Sequence, residues 1–375
     1  MAKKDMKSSL RLISLFMALA LSASVSGCQL LNTRISKYTT PVHYTDSFFD
    51  TFDTIVTLVG YTKNKDEFDT YCKRVHTRMH ELHRLYDIYN DYKGVNNIKT
   101  INDNAGVKPV KVNQEIIDLI LFSKDWYQRT GGKVNIAMGA VLRIWHEYRQ
   151  EGLDAPGSAK LPPMEALKEA AKHTDIDKVI VDTENSTVYL EDQEMRLDVG
   201  AVAKGYATEM VAQELIALGL ESGMLSSGGN VRAIGKPLDG IRERWGVGIQ
   251  NPGQSIVSEQ HLLDVIYLND ASVASSGDYQ RYYTVGGKRY HHIIDPETLM
   301  PAEYYRAVTV MTEHSGIADF MSTTLFLLPY EESRPLAESL DGVEALWVMP
   351  DGKVQATDGM KSIMMSQGAT GSKTK

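Results

Sequence analysis

The sequence predicts an α+β fold, and three observations carry that reading. Several stretches repeat apolar residues every three or four positions, as amphipathic helices do. Short apolar runs come in pairs around glycine-rich turns, as antiparallel hairpins do. The two patterns mix without a regular strand–helix–strand alternation, and there is no internal repeat. A chain of 375 residues, 43% hydrophobic and 23% charged, can bury the core of one large or two ordinary domains.

The amino terminus reads as a secretory signal. Lys3, Lys4, Lys7 and Arg11 precede an apolar run from Leu10 to Val25, which ends at Val25-Ser26-Gly27-Cys28. That ending resembles a bacterial lipobox, which implies a signal peptide over 1–27, lipidation at Cys28, a tether over 28–48 and an extracytoplasmic, lipid-anchored protein. An ordinary signal or an uncleaved anchor is the plainer reading. Cys72 would then be the one cysteine left, so no internal disulfide can form. Removing residues 1–27 takes four positive charges and one negative, moving the formal net charge from −8 to −11. An acidic body with no basic run argues against nucleic acid as a partner.

Asp50 to Tyr61 alternates as a strand. From Asp66 to Tyr89, residues Phe68, Cys72, Val75, Met79, Leu82 and Tyr86 form one helical stripe, with His76, His80 and His83 on its flank. These histidines read as ordinary boundary residues, because HELH is not the HExxH zinc pattern and no fourth ligand is evident. Asn90 to Gly106 is polar and reads as a surface loop. Asn113 caps a helix through Trp126 that stops at Gly131-Gly132. A glycine turn then leads into an apolar segment, Gly152 to Pro163 is a linker, and Met164 to His173 is a short helix. Val179 to Asp182 and Thr187 to Leu190 form a hairpin. Arg196 to Val199 is a strand, and Ala201 to Leu218 a helix closed by Gly219. Short strands follow at 224–226, 230–234, 245–250, 261–268, 279–284, 288–294 and 306–311. A final hairpin spans Glu344 to Gln355, and Ser362 to Lys375 reads as frayed.

Ser315 to Leu328 reads as a helix apolar on all sides, hence buried. It carries one carboxylate, Asp319, with Thr323 one turn later on the same face. A buried carboxylate must be hydrogen-bonded, paired or on a metal. Either it is satisfied locally or it belongs to a hard-cation site. Arg196 to Tyr206 runs from a strand ending in Asp198 through Gly200 to a helix start bearing Lys204, an arrangement that can cradle phosphate. Two further glycine turns lie at 226–230 and 275–279. His292 sits three residues before Asp295, where Pro296 forces a turn.

In joint order these segments resemble the ApbE family, flavin transferases that move FMN from FAD onto a protein hydroxyl. The matching segments are FDTIVTLVG, GGKVNIAMG, LDVGAVAKGYA, SSGGNVRAIG, ASVASSGDYQRYY, HIIDPETLMP and GIADFMSTTL. The resemblance implies an ApbE-like, T-fold-related domain over 49–356 and a flexible tail over 357–375. It also implies Mg²⁺ held by Asp319 and Thr323, with backbone oxygens of Gly316 and Ala201. FAD contacts map to Phe52, Tyr89, Lys133, Val134, Asn135, Asp198, Lys204 and Ile293, and catalysis to His292 and Asp319. Two positions depart from the family: its MGT is Phe52-Asp53-Thr54 here, and its FD is Val134-Asn135. The partner implied is an acceptor flavoprotein with a Thr or Ser in a flavinylation motif. Two rival readings are a Mg²⁺-dependent FAD pyrophosphatase and a flavin-binding lipoprotein without activity. Gly368-Ala369-Thr370 echoes the end of the acceptor motif, but Met364 stands where that motif has aspartate.

Overall fold

Eight strands follow one another across the main sheet in chain order, each antiparallel to the next. They are β1 (Val42–Thr51), β2 (Thr54–Thr62), β3 (Gly223–Ser227), β4 (Asn230–Ile234), β5 (Ser272–Gly277), β6 (Ala307–Thr312), β7 (Glu344–Val348) and β8 (Val354–Ala356). The structure, a computed structural model, describes residues 40–255, 257–258 and 261–372. The expected signal peptide, Cys28 and the first part of the tether lie outside them. The helices, in order, are α1 (Lys65–Tyr86), α2 (Ile98–Asp103), α3 (Gln114–Arg129), α4 (Gly139–Asp154), α5 (Met164–Ala171), α6 (Ala203–Ala217), α7 (Ser315–Phe326), α8 (Tyr330–Ser339) and α9 (Asp358–Ile363).

The period of two along each strand divides the core between the sheet's faces. On β7, Ala345 and Trp347 enter one apolar cluster, while Leu346 and Val348 enter another. The first cluster is shared with α1, α3, α6 and α7. The second is closed by the hairpin Trp245–Gln250/Leu262–Leu268 and by Met360 and Met364. The sheet therefore lies between a helical layer and a smaller hairpin layer.

Helix α7 is buried nearly all round, as its composition requires. Its first amides have no partners within the helix. His314 at the N-cap accepts from the Gly316 and Ile317 amides through Nδ1, at 3.0 and 3.4 Å, and Glu209 of α6 accepts from Ser315 at 2.7 Å. A side chain at Gly205 would overlap Asp319 and the Ser315 carbonyl, so glycine is what lets α6 and α7 approach.

Several expectations need correction. The tether expected to reach residue 48 overlaps β1, which begins at Val42 and pairs with β2 as a hairpin. The expected loop at 90–106 contains α2, held by a capping box between Asn97 and Thr100. Arg196 to Val199 belongs to no strand, because its backbone partners lie elsewhere. The Asn102 side chain bonds both sides of the Leu197 peptide, at 2.7 and 2.9 Å, and Asp198 donates to Ile136 at 2.8 Å. The glycine turn at 275–279 is the end of strand β5, and α8 was not anticipated. The tail expected at 357–375 carries α9, whose Met360 is fully buried, and Met364 bridges to Ile266.

Candidate functional site

A cleft of about 450 Å³ gathers residues from distant parts of the chain. Thr323 and Asp319 come from α7, Lys204 from the first turn of α6, and Asp198 and Ala201 from the turn before it. Phe52 comes from the β1–β2 turn, Tyr89 from the segment after α1, and Lys133, Val134 and Asn135 from the turn before α4. His292 and Ile293 follow the hairpin Tyr282–Val285/Lys288–His291. Of the residues expected at the site, only Gly316 does not line this cleft; it lies buried in the first turn of α7, its amide on His314.

Asp319 is only 7% exposed. Its Oδ2 accepts the Gly205 amide at 2.8 Å, and the Asn230 side chain also bonds it. Burial pushes its carboxyl above the ordinary range, while Lys204 pulls it down through space. No cation pairs with it among the described residues. Thr323 Oγ1 lies 3.1 Å from Ser276 Oγ, which also bonds Ser322 at 2.8 Å. A buried carboxylate flanked by hydroxyls, short of positive charge, is the donor chemistry of a hard divalent cation.

Asp198 is likewise raised by burial, and its Oδ1 accepts the Gly200 amide at 2.9 Å. That bond closes the turn which leads into α6. In the first turn of α6 the Ala203 amide donates to the Val199 carbonyl and the Gly205 amide to Asp319, while the Lys204 ammonium and the positive end of the helix dipole face the cleft.

His292 points Nδ1 at the Arg281 carbonyl, 3.2 Å away. A carbonyl only accepts, so the neutral ring carries its proton on Nδ1 and leaves the lone pair on Nε2. Burial, then the charges of Arg281, His291, Arg149 and Lys204, push its pKa down to about 3. Burial and Arg281 also lower Arg149. Neither guanidinium has an ion-pair partner among the described residues, so this wall is an anion receptor. Arg149 also donates to His146 Nδ1 at 3.0 Å, and the Tyr89 ring packs on His146 with centroids 5.1 Å apart.

Other expected contacts are partly committed to the protein itself. Asn135 donates to the Thr174 carbonyl and accepts the Ala137 amide, both at 2.8 Å, so it shapes the turn. Lys133 pairs with Glu297 at 2.6 Å. Sequence reasoning missed Asn230, Ser276 and Arg281, although all three lie within the segments that carry the resemblance. It also missed His146 and Arg149, which continue the face of α4 past Trp145.

A profile of the ApbE family matches residues 52–347. The FAD:protein FMN transferase of Treponema pallidum (strain Nichols) is 34% identical over 275 residues, covering 70% of this chain and 73% of its own. That of Haemophilus influenzae (strain ATCC 51907 / DSM 11121 / KW20 / Rd) is 29% identical over 337 residues, covering 88% and 90%. Among solved structures, the ApbE protein of Thermotoga maritima MSB8 superposes with a TM-score of 0.74 at 28% identity, covering 86% of this chain and 99% of its own. The flavin transferase ApbE of Vibrio cholerae gives 0.69 at 22% identity, with the same coverage, and shows the shared fold.

Proposed function

The chain belongs to the ApbE family, and on that premise we propose that it is an FAD:protein FMN transferase. It transfers FMN from FAD to a Thr or Ser hydroxyl of an acceptor flavoprotein and releases AMP. The observation that carries the reading at the site is Asp319, a buried carboxylate without a cation, facing the same cleft as two unpaired guanidiniums.

Arg149, Arg281 and Lys204 would draw in the FAD pyrophosphate, and the positive end of the α6 dipole would favour it there. Asp319 and Thr323 would hold Mg²⁺, with Ala201 offering a carbonyl oxygen. Bound there, the ion would supply Lewis-acid neutralisation of charge developing on the phosphoryl oxygens. His292 Nε2 would take the acceptor's hydroxyl proton as that oxygen bonds to the FMN phosphorus. The phosphorus bond to the AMP oxygen breaks, and FMN stays on the protein as a phosphoester.

Incubation with FAD, Mg²⁺ and an acceptor tests this. Flavin fluorescence that stays on the denatured acceptor is expected, and Asp319→Ala and His292→Ala should each lower the rate about 10²-fold or more. Free FMN and AMP without labelled acceptor would instead support the pyrophosphatase, and unchanged FAD a binding protein. Transfer left intact in both variants would overturn the site assignment.

The proposal extends to location. The lipobox-like ending at Cys28 supports a lipid-anchored, extracytoplasmic enzyme, and no described helix is long and apolar enough to cross a membrane. Cys28→Ala should then move the protein from the membrane fraction to the soluble one; unchanged fractionation would count against the anchor.

A further inference from the structure

We propose that Asp50, His76 and His80 form a second metal site, for a zinc-class divalent transition metal, on the flank of α1 and independent of flavin chemistry. His76 and His80 stand four residues apart on α1, so one face carries both imidazoles. The third group arrives from β1, which sequence spacing could not reveal. Phe48 and Asp50, two apart on that strand, both face α1. Phe48 packs edge-on against His76, with centroids 4.7 Å apart.

Asp50 Oδ2 lies 2.9 Å from His76 Nε2 and 2.8 Å from His80 Nε2, and the three ligand atoms all fall within 4.8 Å of one another. Ligands bound at about 2.1 Å in tetrahedral geometry sit about 3.4 Å apart. The two carboxylate–imidazole distances would thus open by about half an ångström, with the metal replacing the shared protons. Side-chain exposures of 42%, 46% and 37% leave freedom for that rotation and room for water as a fourth ligand.

Two imidazoles and a carboxylate select zinc-class metals, whereas the all-oxygen groups at Asp319 select magnesium-class ones. His83, one turn on, takes no part, because its Nδ1 accepts the Phe52 amide at 3.2 Å. That contact also places the proposed site beside the Phe52–Asp53 turn, whose residues hold left-handed backbone at φ 53° and 50°. A metal joining β1 to α1 would brace that wall of the cleft.

Cobalt(II), titrated into the full-length protein under saturating Mg²⁺ and followed by visible absorption and calorimetry, tests the site. One equivalent should bind to the wild type and to Cys72→Ser, which removes the nearest thiol on α1. His76→Ala, His80→Ala and Asp50→Asn should each bind at least tenfold more weakly. Zinc should raise the melting midpoint of the wild type and not that of His80→Ala. Cobalt binding wholly displaced by Mg²⁺, absent from the wild type, or equal in the three variants would overturn the proposal and leave only a surface ion-pair cluster. None of these outcomes bears on flavin transfer.

Discussion

Asp319 holds its charge away from solvent, and the folded state resists that ionisation. Its carboxyl is raised above the unfolded value, so the penalty is absent at low pH and present at neutrality. Asp319→Asn keeps an oxygen for the Gly205 amide and removes the buried charge. We expect its melting midpoint without metal to lie about 1–3 °C above wild type, while transfer is lost. Added Mg²⁺ should raise the wild-type midpoint and leave the variant unmoved; the reverse order would mean that the charge is already compensated. His292 gives a pH signature. Because its pKa is pushed down to about 3, the ring stays neutral well below an ordinary histidine, and the acidic limb of kcat/KM should fall below pH 5. Arg281→Met removes the positive neighbour whose charge most depresses it, so the limb should move upward. A limb that stays fixed would point to another group as the base. That Asp319 and Thr323 share one face of a buried helix was legible because helical spacing is local, whereas His292 was singled out by the family resemblance, since its turn alone reads as an ordinary one. Arg149 was not, since nothing in α4 announces that the Arg281 hairpin will face it.

The pairing of α6 and α7 is where local backbone choice becomes a site. Gly205→Ala would push its new methyl into Asp319 and the Ser315 carbonyl. We expect a loss of about 1–3 kcal/mol in stability by denaturant titration, together with weaker Mg²⁺-dependent stabilisation. A variant as stable and as metal-responsive as wild type would show that the helices can separate freely. The hairpin Val179–Asp182/Thr187–Leu190 was readable to its ends, because turn residues bracket both strands. The extended stretch at Arg196 was misread for a physical reason. Alternation predicts an extended backbone, but its bonding partners, Asn102 and Ile136, lie far away in sequence. A helix as short as α2 is decided by one capping box rather than by periodicity.

The molecule as a whole has its core on both faces of the sheet, and the carboxyl-terminal segment closes one of them. Deleting residues 357–375 removes Met360 and Met364 and uncovers their cluster partners Trp245 and Ile266. Loss of the buried methionines alone should cost about 2–5 kcal/mol each, and the truncated protein should bind a hydrophobic dye. A truncation with unchanged midpoint would restore the frayed-tail reading. That reading failed because the segment is short and its burial depends on a hairpin formed about a hundred residues earlier, against which Met360 and Met364 pack.

The order of the strands has a kinetic consequence. Although β2 and β3 are neighbours in the sheet, residues 63–222 lie between them in the chain. Their pairing closes a very long loop, and long-range closures are slow. In pulse-labelled hydrogen exchange, amides of β5 to β7 should gain protection before those of β1 and β2. The wall carrying Phe52 would then be the last part of the cleft to be assembled, after the side that holds Asp319 and Thr323.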